Sequence, residues 1–289
     1  MSKKLVAGIV AVVVLVALYF GLTIYASGKA AEQVDAAIAK MGPAVHVSYT
    51  KVAYNILNKQ TAISGVSILA PGSPTPVRVG EVLVRRLDET SPTPAFVAVD
   101  FKGIEVDLKS LGDDAAAAAA LGYKDTLYCD LGIDYAYAKD KKDLDLKTLS
   151  LAVKDVGSLS VSLHLGNVDI DPNQAATLLF TYPQILLHQA SVTYKDASLM
   201  ERLLKAEAAK SGIDVATLKQ NLSRDADEAL QGQTNPLLAG ALTAVKQFIN
   251  NPKELSISAS PAKPLPLGQI GNAATPDAVA AMLNIQIKS

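Results

Sequence analysis

The sequence has no tryptophan, five phenylalanines and a single cysteine, Cys129. One cysteine excludes an intrachain disulfide, although it does not exclude an oxidising compartment. With so few large aromatics, aliphatic residues and tyrosine must fill most of the core. The net charge is −1, and Lys and Arg are spread along the chain. This argues against a nucleic-acid-binding protein, which needs a clustered basic face.

Side chains that usually carry chemistry are also scarce. Only three histidines occur, His46, His164 and His188, and none lies near a Cys or another His at metal-ligand spacing. No HExxH, CxxC, GxSxG, Walker or GxGxxG motif is found. Cys129 falls on the apolar side of a predicted strand, which favours a small buried hydrophobe over a nucleophile. We therefore predict no catalytic residue, no metal ligand, no cofactor and no enzymatic activity, with a hydrolase built from distant residues as an alternative.

The longest apolar run is LVAGIVAVVVLVALYFGLTIY, residues 5–25, which carries no charge. As a helix it would span about 30 Å, the thickness of the hydrocarbon core of a bilayer. Lys3 and Lys4 precede it, so the positive-inside rule predicts a cytoplasmic N-terminus and an exported body. A cleavable signal peptide is the competing interpretation, but its apolar core is usually shorter. We expect a single-pass inner-membrane protein with a periplasmic main domain.

The rest of the chain divides by its periodicity. We predict a cytoplasmic N-terminus and anchor over residues 1–27, a helical stalk over 28–43 and one periplasmic domain over 44–289. Within that domain, residues 44–194 are predicted to be β-rich, 195–252 helical and 253–289 returning strands. The expected fold class is α+β: an N-terminal transmembrane helix followed by a largely antiparallel, curved β-sheet domain with a C-terminal helical segment packing on it.

Strict alternation of apolar and polar residues identifies the clearest strands, TLYCDLGIDYAYAKD and GSLSVSLHLGN. In DLDLKTLSLAV the apolar parity changes, which predicts a β-bulge or turn near Lys147-Thr148. An apolar face of this kind could hold a ligand such as an acyl chain. The candidate residues for that face are Leu127, Leu131, Ile133, Tyr135, Leu159, Val161 and Leu163. The alternative is that the C-terminal helices simply cover it.

The stretch YKDASLMERLLKAEAAKSG, residues 194–212, gathers several polar side chains at one place. Ser198 and Glu201 have the spacing of a capping box, and Gly212 is suited to end the helix. Asp214 and Asn235-Pro236 begin two further predicted helices. We interpret this stretch as a strand-to-helix junction and not as an active site.

Two segments carry a resemblance to known proteins: ASVTYKDASLMERLLKAEAAKSGI, and AVKQFINNPKELSISASPAKPLPLGQI with the closing LNIQI. From about Leu127 to Ser289 the chain resembles uncharacterised bacterial, alphaproteobacterial-type, inner-membrane-anchored envelope proteins of the YdgA-like group. It is more distantly similar to AsmA-like proteins. The resemblance implies a membrane-anchored periplasmic domain and no catalytic residues to carry over.

The function expected from the sequence is that of a non-catalytic, membrane-anchored periplasmic domain that binds envelope partners as a scaffold or accessory protein. The alternative is a lipid-binding or lipid-transfer domain that uses the apolar face of a curved sheet. The expected partners are the membrane and, beyond it, envelope proteins or lipid, with no nucleic acid.

Overall fold

The computed structural model describes residues 31–32, 34–35, 38, 46–69, 75–88, 91, 94–170, 181–273 and 275–289. These residues form a large antiparallel sheet of twelve strands together with helices. The chain divides into two compact units, Met1–Asp134 and Tyr135–Ser289, here called unit 1 and unit 2.

Unit 1 is built from strands that pair with their neighbours along the chain. They are β1 His46–Ser48, β2 Lys51–Asn55, β3 Gln60–Leu69, β4 Val77–Leu87, β5 Phe96–Asp107 and β6 Thr126–Ala138. A helix, α1 Asp113–Ala120, precedes β6, and the last residues of β6 belong to unit 2. β3 pairs with β1, β2 and β4, and β4 pairs with β5. Val79, Val97 and Val99 are only 1–2% exposed. These valines form part of the core of unit 1, and each buried side chain of this size stabilises the fold by about 1.5–3 kcal/mol.

Unit 2 continues with long strands and then helices. Its elements are β7 Asp143–Val153, β8 Gly157–Gly166, β9 Leu186–Asp196, α2 Leu199–Ser211, α3 Val215–Gln231, α4 Pro236–Asn250, β10 Glu254–Ala259, β11 Leu265–Pro266, α5 Leu267–Gly271, α6 Pro276–Leu283 and β12 Gln286–Lys288. The strand order is β7-β8-β9-β10-β12, and β11 pairs with the beginning of β9. The register of β7 on β8 shifts between Leu146 and Leu149, which confirms the predicted bulge near Lys147-Thr148.

The three long helices begin and end where local chemistry dictates. Asp214 accepts a hydrogen bond from the Thr217 amide at 2.8 Å, and this bond holds the pKa of Asp214 below its ordinary value. Asn235 accepts from the Leu237 and Leu238 amides, with Pro236 in the first turn. Both predicted helix starts are confirmed. The helices pack on one another through Leu204, Ala208 and Leu218.

The predicted fold class is wrong in one respect. Among the described residues, no helix is long and apolar enough to cross a membrane. The longest, Val215–Gln231, has 17 residues and carries charged side chains, whereas a span needs about 20 apolar ones. The described chain is therefore a large antiparallel sheet with helices, and the single-pass membrane assignment is corrected accordingly. The predicted anchor, residues 5–25, lies outside the described residues.

Candidate functional site

The residues predicted to form an apolar ligand face fall into both units. Leu127, Leu131 and Ile133 lie on the unit 1 part of β6, and each is half-buried. Tyr135 begins unit 2. Leu159, Val161 and Leu163 alternate on β8 and share one of its faces. The clearest part of the predicted face is therefore the β8 part, inside unit 2.

The β8 residues belong to an apolar surface that crosses five strands. Leu149, Val161, Val192, Ile257 and Ile287 are successive cross-strand partners on β7, β8, β9, β10 and β12. Side chains paired in this way stand next to each other on one face. We call Leu149, Leu159, Val192 and Ile257 the open apolar face, because these large side chains are 39–46% exposed.

The helices of unit 2 contact one end of this surface. Tyr194, the cross-strand partner of Leu159, packs its ring edge-on against Phe248 of α4, with the ring centroids 6.0 Å apart. Phe248 itself is 4% exposed, so this contact belongs to the buried core of unit 2. One residue pair further along the strands, Val192 and Ile257 remain exposed. Helix packing therefore covers Tyr194, whereas the side chains of the open apolar face stay partly exposed.

The opposite face of β8 carries a cluster that the sequence did not reveal. His164 is the cross-strand partner of Gln189, whereas the next residue, Leu165, is the partner of Leu187. His188 is thus an extra residue in β9, a β-bulge, and bulges re-aim side chains. The result is that the His164 and His188 rings stack with centroids 4.4 Å apart and planes 19° apart.

Asp143 completes what we call the His–Asp cluster, formed by Asp143, His164 and His188. Its two carboxylate oxygens lie 3.1 and 3.0 Å from Nε2 of His164. A potential ligand atom from each of the three residues lies within 4.8 Å of the other two. All three residues are half-buried, so the cluster is accessible from solvent. Two imidazoles and a carboxylate are a donor set suited to a transition metal.

Gly166 makes room for this arrangement. A Cβ atom at Gly166 would lie 2.6 Å from Nε2 of His188, closer than real contacts allow. A side chain at this position would displace the tip of the His188 ring, so glycine leaves room for the ring over the backbone of β8. Nearby, the Ser162 and Ser191 hydroxyls share a hydrogen bond of 2.8 Å. Ser162 thus has a hydroxyl partner, and His164 is hydrogen-bonded to Asp143, so the geometry is not that of an activated serine.

The 194–212 stretch is a strand-to-helix junction, as predicted, but its cap is different. The amide of Met200 donates to the Asp196 carboxylate at 3.0 Å, and Tyr194 donates to the same oxygen at 2.8 Å. Ser198 instead donates to the Asp155 carbonyl and accepts from Arg202. The predicted capping box is wrong, because the hydroxyl of Ser198 is turned toward the preceding hairpin. Gly212 ends the helix in the left-handed conformation, with φ of 67°.

Two other polar features of unit 1 have structural explanations. Arg85 lies at a bulge in β4 and pairs with Asp100 at 2.8 Å, while Arg86 pairs with Asp134 at 2.7 Å. The two positive and two negative charges neutralise each other.

Burial, with a smaller effect of the Asp130 charge, raises the pKa of the Cys129 thiol to about 11, which suits an unreactive cysteine.

A further depression lies in unit 2, at the C-terminal end of α4. It has a volume of about 480 Å³ and is lined by Thr243, Lys246, Gln247, Asn250, Asn251 and Ser289. Lys246 is paired with Asp227 at 2.5 Å. The other lining side chains are uncharged hydroxyls and amides.

Comparison with known proteins places the chain beside others of undetermined role. A family model described as an uncharacterized protein matches residues 150–289, just under half of the chain and all within unit 2. An uncharacterized protein of Aquifex aeolicus (strain VF5) is 26% identical over 279 residues, which cover 91% of this chain and 90% of the relative. The similarity to uncharacterised bacterial proteins is thus shown, whereas the names YdgA-like and AsmA-like do not appear among these matches.

Proposed function

We propose that the protein is a non-catalytic binding domain whose open apolar face docks onto an apolar surface of a partner protein. The observation that carries the proposal is the exposure of Leu149, Leu159, Val192 and Ile257 at 39–46% on one side of unit 2. Contiguous exposed apolar surface on a soluble domain marks an interaction site, because water contact with it is unfavourable. The scaffold or accessory role predicted from the sequence is the form of function that such a surface suits.

The arrangement of these side chains favours a protein partner over a lipid. A bound small molecule usually has most of its surface enclosed in a concave pocket. The residues of the open apolar face form cross-strand rows on one sheet face, and none of them lines the depression at the end of α4. A flat apolar surface of a second protein can cover such rows in full. The resemblance to YdgA-like and AsmA-like envelope proteins, and the inner-membrane and periplasmic localisation, stay predictions.

Photocrosslinking in cells tests the proposal. A benzophenone amino acid placed at Val192 should yield a discrete protein adduct, because Val192 lies in the middle of the open apolar face. The matched control is Gln189, an exposed residue of the same strand on its other face, which should give no such adduct. Changing Ile257 to Asp should abolish the Val192 adduct, because a charge at the partner interface would have to be desolvated.

Two outcomes would contradict the proposal. Adducts that partition into the lipid extract would replace the protein partner with a lipid. Equal adduct yields from Val192 and Gln189 would show that the face has no special role.

A further inference from the structure

Three features of the His–Asp cluster point to a function separate from the open apolar face. The bulge in β9 brings His188 beside His164, Gly166 leaves space for the His188 ring, and Asp143 is aimed at His164. A bulge interrupts the regular pairing of a sheet, and bulges are enriched next to functional sites.

The geometry is close to that of a metal site. In a tetrahedral zinc site, metal–ligand distances of about 2.0–2.2 Å place neighbouring ligand atoms about 3.3 Å apart. Nε2 of His164 and the carboxylate oxygens of Asp143 are already 3.0–3.1 Å apart. A ring nitrogen of His188 lies within 4.8 Å of both. Rotation of the His188 side chain, over a residue without a Cβ, would close the remaining gap.

The electrostatic surroundings favour a cation. Among the described residues, the ion pair of Asp143 is made with His164 and not with a lysine or arginine. The neighbouring Lys142 is paired with Asp169 at 2.9 Å. Asp145, directly across from His164 on β7, adds a second carboxylate to the same side of the sheet. A dication at the cluster would therefore meet one carboxylate and two imidazoles, with Asp145 on the same side of the sheet and Lys142 already paired with Asp169.

We propose that Asp143, His164 and His188 bind one late first-row divalent metal ion, of which Zn²⁺ is the representative. Two imidazoles with one carboxylate suit zinc, copper or nickel, whereas magnesium and calcium prefer sites made of oxygen ligands. The three residues come from three adjacent strands, so the ion would also pin β7, β8 and β9 in register. The proposal uses the face of unit 2 opposite the open apolar face and does not depend on the proposed docking function.

The experiment is a titration of the purified full-length chain with Zn²⁺ in competition with a chromophoric chelator. The expected result is one ion per chain, with affinity reduced at least about tenfold by His164→Gln or His188→Gln, since even the groups that only support a metal ligand typically contribute 10–100-fold. His46→Gln is the matched control, because His46 is the remaining histidine and lies on β1 of unit 1. It should leave the affinity unchanged, and Mg²⁺ at the same concentration should not compete.

A second measurement separates ligand loss from misfolding. Zn²⁺ should raise the Tm of the native chain, because an ion that binds only the folded state stabilises it. The shift should vanish in His188→Gln and become smaller in Gly166→Ala, while both variants keep their circular dichroism spectrum. The affinity should also fall as the buffer is acidified, because bound imidazole must be unprotonated. Absence of stoichiometric binding, or equal loss of binding in His46→Gln, would overturn the proposal.

Discussion

Unit 1 and unit 2 both carry apolar residues on their strands but bury them to very different degrees. In unit 1, Val97 and Val99 are 1% exposed, and Ala98 between them is fully buried. In unit 2, Val192 and Ile257 are equally apolar but are 41% and 46% exposed. Alternation thus predicts which residues share a face of the sheet, but it does not predict whether other elements pack over that face. An apolar face without a cover is where binding is expected.

The largest expected effect comes from a cavity in unit 1. Phe101 is 4% exposed, so Phe101→Ala should lower the free energy of unfolding by about 3–5 kcal/mol, through lost burial and the space left behind. Val192→Ala in unit 2, which removes a smaller side chain that is 41% exposed, should cost only about 0.5 kcal/mol. Denaturant unfolding midpoints measure both. Similar losses in the two variants would break the comparison between the units.

Thiol reactivity should follow the same division. Raising the pKa of Cys129 from 9.0 to about 11 lowers its thiolate fraction at pH 8 about 100-fold. Since the thiol ionises only as the pH approaches 11, alkylation at pH 8 should be slow. A cysteine placed at Leu159 in a Cys129→Ala background should react at an ordinary rate, because that position is exposed. Timed alkylation with mass detection compares the two, and equally fast labelling would show that Cys129 is not shielded.

The smallest expected effect concerns the start of α2 in unit 2. Asp196→Ala removes the carboxylate that accepts from the Met200 amide, and it should lower stability by about 1 kcal/mol. Glu201→Ala, in the residue that a capping box would require, should leave stability essentially unchanged, since its partner Lys205 is also exposed. Thermal unfolding of the two variants shows whether Asp196 or the Ser198–Glu201 capping box stabilises the start of α2. A larger loss for Glu201→Ala would restore the capping box.

Much of the local structure follows from the sequence alone. Alternation located the long strands β6 and β8, and a change of parity located the bulge near Lys147-Thr148. Asp214, Asn235 and Gly212 marked helix ends, because each satisfies backbone groups within a few residues of itself. The Ser198 cap failed because the hydroxyl of Ser198 donates to the backbone carbonyl of Asp155. Asp155 lies in the turn between β7 and β8, far from Ser198 along the chain. Local rules hold where the competing partners are local.

The composition and periodicity of this sequence determined its strands, its helix boundaries and the shared apolar parity of Leu159, Val161 and Leu163. Only the tertiary structure decided that this face stays open, because the packing of α4 near Tyr194 depends on the fold of the helices. It also decided that His164 meets His188 and Asp143. Those residues lie on three different strands, and their meeting depends on pairing register and on one extra residue in β9. Register and bulges are fixed by the summed pairing of whole strands, so no short motif in the sequence can encode them.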